Sequence, residues 1–172
     1  NQQVSNNAKI KITDQDNESV VSSISPLPFD IIATFNITHP ENGDEVVAKD
    51  SYTITWTPKG TGVNNVILEY SIDGGTNWNY VNPVNPYTVT NSGSYNWPSV
   101  PENALSPSCK VRITDPNNAY ATDTGAGTFW IKGEITVTSP NDGTESWGVG
   151  TIHNITWTKK GNISTVEIYY ST

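Results

Sequence analysis

Tyr52-Thr53-Ile54-Thr55-Trp56-Thr57 alternates large apolar and small hydroxylated side chains. A period of two puts Tyr52, Ile54 and Trp56 on one face and the threonines on the other, the pattern of a strand with one buried side. Part of this stretch returns: Thr55-Trp56-Thr57 reappears 101 positions later as Thr156-Trp157-Thr158. Working outward, Pro40-Glu41-Asn42-Gly43-Asp44-Glu45 recurs as Pro140-Asn141-Asp142-Gly143-Thr144-Glu145, and Glu69-Tyr70-Ser71 as Tyr169-Tyr170-Ser171. Ala8-Lys9-Ile10-Lys11-Ile12-Thr13-Asp14 recurs as Cys109-Lys110-Val111-Arg112-Ile113-Thr114-Asp115. A period of about 100 residues is the size of one antiparallel β-sandwich. The expected fold is therefore all-β and repetitive. Residues 1–34 read as the last strands of one repeat, 35–133 as a complete repeat, and 134–172 as the first strands of a third.

Composition agrees with this class. Hydrophobic residues make up only 34% of the chain, yet there are 6 Trp and 8 Tyr, so a few large aromatics must supply much of the core. A net charge of −8 argues against nucleic-acid binding, which calls for a basic patch. There is no apolar run of about 18 residues, so no membrane-spanning helix is expected in this segment. With a single cysteine no intrachain disulfide forms, and Cys109 reads as a small buried apolar residue. The chain lacks Met and a recognisable signal peptide, and its outer repeats read as severed. We therefore expect a processed or excised piece of a longer precursor.

Strands are expected at 8–14, in a region reaching Ile31-Ile32, at 35–39, 52–57, 66–70, 78–81, 94–97, 109–115 and 128–132. Residues 1–7 read as loose, and 40–50 and 82–92 as loops because of their Pro, Gly and Asn content. About seven short strands in the central repeat suggest two antiparallel sheets packed face to face.

Ser71-Ile72-Asp73-Gly74-Gly75-Thr76-Asn77-Trp78 fits Ser-x-Asp-x-Gly-x-x-Trp and resembles the Asp-box of sialidases and related propeller proteins. Physically it is a hairpin turn. Asp73 accepts turn hydrogen bonds with Ser71 beside it, Gly75 supplies a positive φ, and Trp78 packs beneath. The role is structural; a sialidase would also need further boxes, an arginine cluster and a tyrosine nucleophile.

The wider pattern runs from Ile37-Thr38 through Pro40, Gly43 and Ile54-Thr55-Trp56 to Leu68-Glu69-Tyr70-Ser71. It continues through Asp73-Gly74-Gly75 to Tyr95-x-Trp97 and Val111-x-Ile113. It resembles the immunoglobulin-like modules that recur in tandem in large cell-surface proteins of bacteria and archaea. It is also similar to the N-terminal domain of fungal serine/threonine-rich cell-wall glucan-assembly proteins. The resemblance implies an immunoglobulin-like β-sandwich used as a stalk, adhesin or surface-layer segment, and supplies no catalytic residues.

Asp14, Asp16 and Asn17 share one loop, Asp115 and Asn117 its counterpart. Their oxygens suit Ca²⁺ at a module junction, and equally suit turns by Asp and Asn geometry alone. No other cofactor is expected. His39 and His153 occupy unrelated repeat positions and do not form a zinc set with one cysteine. Asn17, Asn36, Asn154 and Asn162 each begin an Asn-x-Ser/Thr sequon, so glycans are candidate modifications of an exported protein. Tyr80, Tyr87, Tyr120 and Trp147 fall outside the core pattern and are candidate platforms for sugar stacking.

No Ser-His-Asp or Cys-His set and no phosphate-binding glycine loop recurs, so an enzyme is not expected. The expected role is structural: an extracellular surface-layer, stalk or filament segment that associates with itself. A carbohydrate-binding or adhesin module is the alternative. Severed modules at both ends also suggest strand exchange between chains meeting head to tail, against the simpler alternative of a longer covalent array.

Overall fold

The computed structural model describes residues 2–18 and 20–171. Among them there is no helix, and the sixteen strands pair antiparallel except in one ladder. Four short strands come first: β1 Ser5–Ala8, β2 Lys11–Thr13, β3 Ser22–Ile24 and β4 Phe29–Ile31. β1 pairs with β4 and β2 with β3.

The central region holds β5 Thr34–His39, β6 Glu45–Val47, β7 Tyr52–Lys59, β8 Asn65–Ser71, β9 Asn79–Tyr80 and β10 Thr88–Thr90. It continues with β11 Ser94–Trp97, β12 Ser106–Asp115, β13 Asn118–Thr124 and β14 Phe129–Lys132. One sheet has the order β11-β7-β5. The larger has the order β10-β8-β12-β14-β6, with β9 also on β8 and β13 on β12. Ile54 and Trp56 of β7 form one buried cluster with Val66 and Leu68 of β8, Val111 and Ile113 of β12, and Phe129 and Ile131 of β14. The alternation read from the sequence thus points its apolar side into a sandwich-like core. Trp56 keeps its indole satisfied there: Nε1 donates to Asn91 Oδ1 at 2.8 Å, and Asn91 Nδ2 donates to the Val63 carbonyl at 2.9 Å.

Two strands close the chain, β15 Glu134–Ser139 and β16 Thr156–Lys160, paired antiparallel. Their ladder sets Val137 opposite Trp157, as β5 and β7 set Ile37 opposite Trp56, and both ladders shift register after that pair. The Thr38 and Thr55 hydroxyls lie 2.6 Å apart across one ladder, and the Thr138 and Thr156 hydroxyls 2.7 Å apart across the other. At the other end, β1 and β4 pair Ser5 with Ile31 and Ala8 with Phe29. β12 and β14 pair Ser106 with Ile131 and Cys109 with Phe129. These partners are 100 or 101 positions apart in sequence.

Several expectations are corrected. Residues 1–7 are not all loose: β1 starts at Ser5, and Gln3 bridges Thr61. The loop expected at 40–50 contains β6, which lies parallel to β14, so the larger sheet is not wholly antiparallel. The loop expected at 82–92 contains β10, and β13 was not anticipated at all. All three are outer or short strands, where one ladder suffices and strict alternation is not required.

Candidate functional site

The most distinctive geometry lies where the central sandwich meets the strands before and after it. At the first joint, the Val4 amide donates to the Thr61 carbonyl and the Thr61 amide to the Gln2 carbonyl, both at 2.9 Å. Gly60, at φ +100, lies beneath Val4 and Ala33. A β-carbon there would stand 3.4 Å from Val4 Cγ1 and 3.5 Å from Ala33 Cα. At the second joint, the Asn162 amide donates to the Glu102 carbonyl at 2.8 Å. Gly161, at φ +89, lies beneath Leu105 and Gly133. A β-carbon there would stand 2.9 Å from Leu105 Cδ2 and 3.3 Å from Gly133 Cα.

Val4 and Leu105, Gly60 and Gly161, and Ala33 and Gly133 are again 100 or 101 positions apart. Positive φ at the two glycines lets the chain turn at the end of β7 and of β16 while an aliphatic side chain packs directly on backbone. An ionic clasp adds to the second joint. Lys160 Nζ lies 2.9 Å from Asp50 Oδ1 and 2.9 Å from Glu134 Oε2, and these hydrogen bonds, Glu134's first, raise the lysine pKa. The joint residues were not singled out in the sequence; the signal was there in Lys59-Gly60 and Lys160-Gly161.

The Asp-box residues form the expected turn. Ser71 Oγ donates to Asp73 Oδ1 at 2.7 Å and accepts from the Gly75 amide at 2.8 Å. Asp73 Oδ1 also accepts the amides of Thr76 and Asn77, at 3.0 and 2.9 Å. These bonds, the Asn77 amide's first, hold the Asp73 pKa at about 2. Gly75 takes φ +101 over the Trp78 ring, with Arg112 on that ring 4.3 Å from its centroid. Arg112 also pairs with Glu69 at 2.7 Å, fixing β8 to β12 across the same face. Two backbone groups of the turn reach outside it: the Gly74 amide donates to the Ser108 carbonyl at 2.9 Å, and the Ile72 carbonyl accepts from Ser106 Oγ at 2.6 Å.

The candidate calcium residues are placed in two separate turns. Asp14 Oδ1 accepts the Asp16 amide at 3.0 Å, and Asp14 Oδ2 accepts from Asn17 Nδ2 at 3.2 Å. Asp115, which is buried, accepts the Asn117 amide at 2.9 Å. The second turn does lie at a junction: Asp115, Asn117 and Asn118 line a cleft with Val4, Ile32 and Ala33. Among the described residues no group of three or more His, Cys, Asp or Glu side chains converges as a metal site. Asn17, Asn36, Asn154 and Asn162 are all exposed; the sequon of Asn17 ends at Ser19, outside the described residues. Cys109 is fully buried, and burial pushes its thiol pKa up.

Of the aromatics left over, Tyr80 and Tyr87 come together. Their rings stack at 4.4 Å with an interplanar angle of 11°. They line a cleft of about 710 Å³ with Asn79, Asn82, Tyr95 and Trp97, and no charged residue lines it. Tyr87 sits at φ +64, a conformation that costs a non-glycine residue. Trp147 instead stacks on His153 at 4.5 Å, and Tyr120 is exposed on β13.

No family model matches the chain, and no curated protein matches it. Among the described residues no helix is long and apolar enough to cross a membrane.

Proposed function

We propose that the chain is a structural segment of a repetitive extracellular surface protein, built from immunoglobulin-like modules and serving as a surface layer, stalk or filament. One observation carries the reading: the second joint repeats the first, with an aliphatic side chain seated on a positive-φ glycine beside a small residue. A seat shared by both joints supports a chain of successive similar units, as an extended array requires. The matching ladders 100 or 101 positions apart support the same view. Acidic charge and exposed sequon asparagines fit export and a cell-surface location. The proposal assigns no catalysis.

Antibodies raised against this segment test it. Labelling of intact producing cells is the expected result; labelling only after permeabilisation overturns the surface role. A second reading, a carbohydrate-binding module, is favoured by one observation: the stacked Tyr80–Tyr87 pair over an uncharged cleft. Glycan-array binding lost in Tyr87→Ala would support it, and no binding across a broad array would remove it.

A further inference from the structure

The outer face of the larger sheet carries a row of side chains drawn from four strands of the central sandwich. Tyr80 of β9 stands opposite Glu69 of β8, Glu69 opposite Arg112 of β12, and Arg112 opposite Thr124 of β13. Directly paired residues share a face of a sheet. Leu68, Val111 and Ile113, which alternate with them, are buried in the core, so the row points outward. The adjacent row on the same face is Ile67, Thr114 and Thr122. An aromatic ring, a carboxylate, a guanidinium and hydroxyls therefore lie side by side.

Tyr80 is common to two clefts. One is the uncharged cleft that it lines with Tyr87, Tyr95 and Trp97; the other, of about 410 Å³, is lined by Glu69, Arg112, Thr114, Thr122 and Thr124. Arg112 Nε donates to Glu69 Oε2 at 2.8 Å, and Nη2 lies 2.7 Å from the same oxygen. The two charges cancel, in a chain whose net charge is −8. The pair keeps capacity for a ligand, because a carboxylate has a second oxygen and a guanidinium has five N–H donors. Tyr87 holds φ +64 with its ring stacked on Tyr80, and strain of this kind clusters at ligand clamps.

We propose that the two clefts form one binding surface for a neutral, extended oligosaccharide of β-linked pyranoses with equatorial hydroxyls. The proposal deepens the carbohydrate-binding reading above and rests on it. The flat apolar face of one sugar ring stacks on the tyrosine pair. Neighbouring hydroxyls of the next ring donate to Glu69 and accept from Arg112. A hydroxyl uses donor and acceptor together, which is what this pair offers and what a proline-rich peptide does not use. The net charge across both clefts is zero, so a charged ligand would lose its hydration without gaining a counter-charge. The row runs directly across the strands, so the chain that it holds is extended rather than coiled.

Titration calorimetry of the 172-residue chain tests this with three probes: a hexamer of β-1,4-linked glucose, a hexamer of galacturonic acid and a ten-residue oligoproline. Only the glucose hexamer should bind. Tyr80→Ala and Glu69→Gln should each weaken it by about tenfold. Thr124→Val, an exposed change that leaves the Glu69–Arg112 pair intact, should weaken it by about threefold, with an unchanged thermal melt. Failure of the glucose hexamer to bind overturns the proposal, as does binding of the galacturonate or the oligoproline in its place. Binding that is lost in Tyr87→Ala but unchanged in both Glu69→Gln and Thr124→Val also overturns the extended surface, and keeps the carbohydrate-binding reading. A different glycan bound on a broad array likewise keeps that reading. No binding across the array overturns both.

Discussion

Ile163 fills the space that a side chain at Gly133 would need: a β-carbon on Gly133 would stand 2.8 Å from Ile163 Cδ1 and 2.9 Å from the Lys160 carbonyl oxygen. At the corresponding positions of the first joint both residues are small, Ala33 in place of Gly133 and Gly62 in place of Ile163. A β-carbon on Gly62 would stand 3.2 Å from Val4 Cγ2, so at this position the two joints are filled by different residues.

Gly133→Ala should consequently open the second joint, at a cost of about 1–3 kcal/mol. Hydrogen exchange of the Asn162 amide, which donates to Glu102 across the joint, should accelerate. Adding Ile163→Ala should recover part of the loss. It should not recover all of it, because the Lys160 carbonyl is backbone and cannot swing away.

Trp56 and Trp157 occupy the same place in their ladders but are 3% and 37% exposed. Removing Trp56 leaves a cavity in a closed core and should cost about 3–5 kcal/mol, measured by urea unfolding. Trp157→Ala should cost less than half as much, since its side chain already stands 37% exposed.

Asn91 holds the Trp56 indole and the Val63 carbonyl at once. Asn91→Leu should destabilise the central sandwich by about 1–3 kcal/mol, the penalty for leaving buried polar groups unpaired. Adding Trp56→Phe, which deletes the indole donor, should make the Asn91 substitution less harmful, and a double-mutant cycle reads the difference.

Asp73 links the Asp-box to pH. Its folded pKa of about 2 lies below the ordinary 3.8, so the unfolded chain binds its proton first as pH falls. The turn's stabilising contribution is complete above about pH 4 and is lost as pH drops through about 2. In Asp73→Asn this acid dependence should disappear, leaving a flatter stability profile between pH 2 and 4 in thermal melts. An unchanged profile would mean that the carboxylate does not hold the turn.

The strands that read most clearly in the sequence were those under the strongest physical constraint. β7 alternates because one side faces the core, and the Asp-box turn was legible because each of its positions has a specific backbone duty. β13, Asn-Ala-Tyr-Ala-Thr-Asp-Thr, was missed because it buries only Ala121 and pairs on β12 alone. β6 was hidden by the turn residues around it: three residues are too short a window for periodicity. The joints escaped for a different reason. Their chemistry is distributed among residues far apart in sequence, such as Leu105, Gly133 and Gly161, and each alone is unremarked. The candidate calcium residues were legible only as turn formers, because composition names the donor atoms but not the direction in which they point.

The recurring joint also carries geometric information. Placing one unit on the next by the same contacts is a fixed rotation combined with a fixed translation, which is a screw operation. Any chain that applied it repeatedly would wind into a superhelix, with a positive-φ glycine such as Gly60 or Gly161 at each turning point. A small change of twist at such a hinge would accumulate with every unit added.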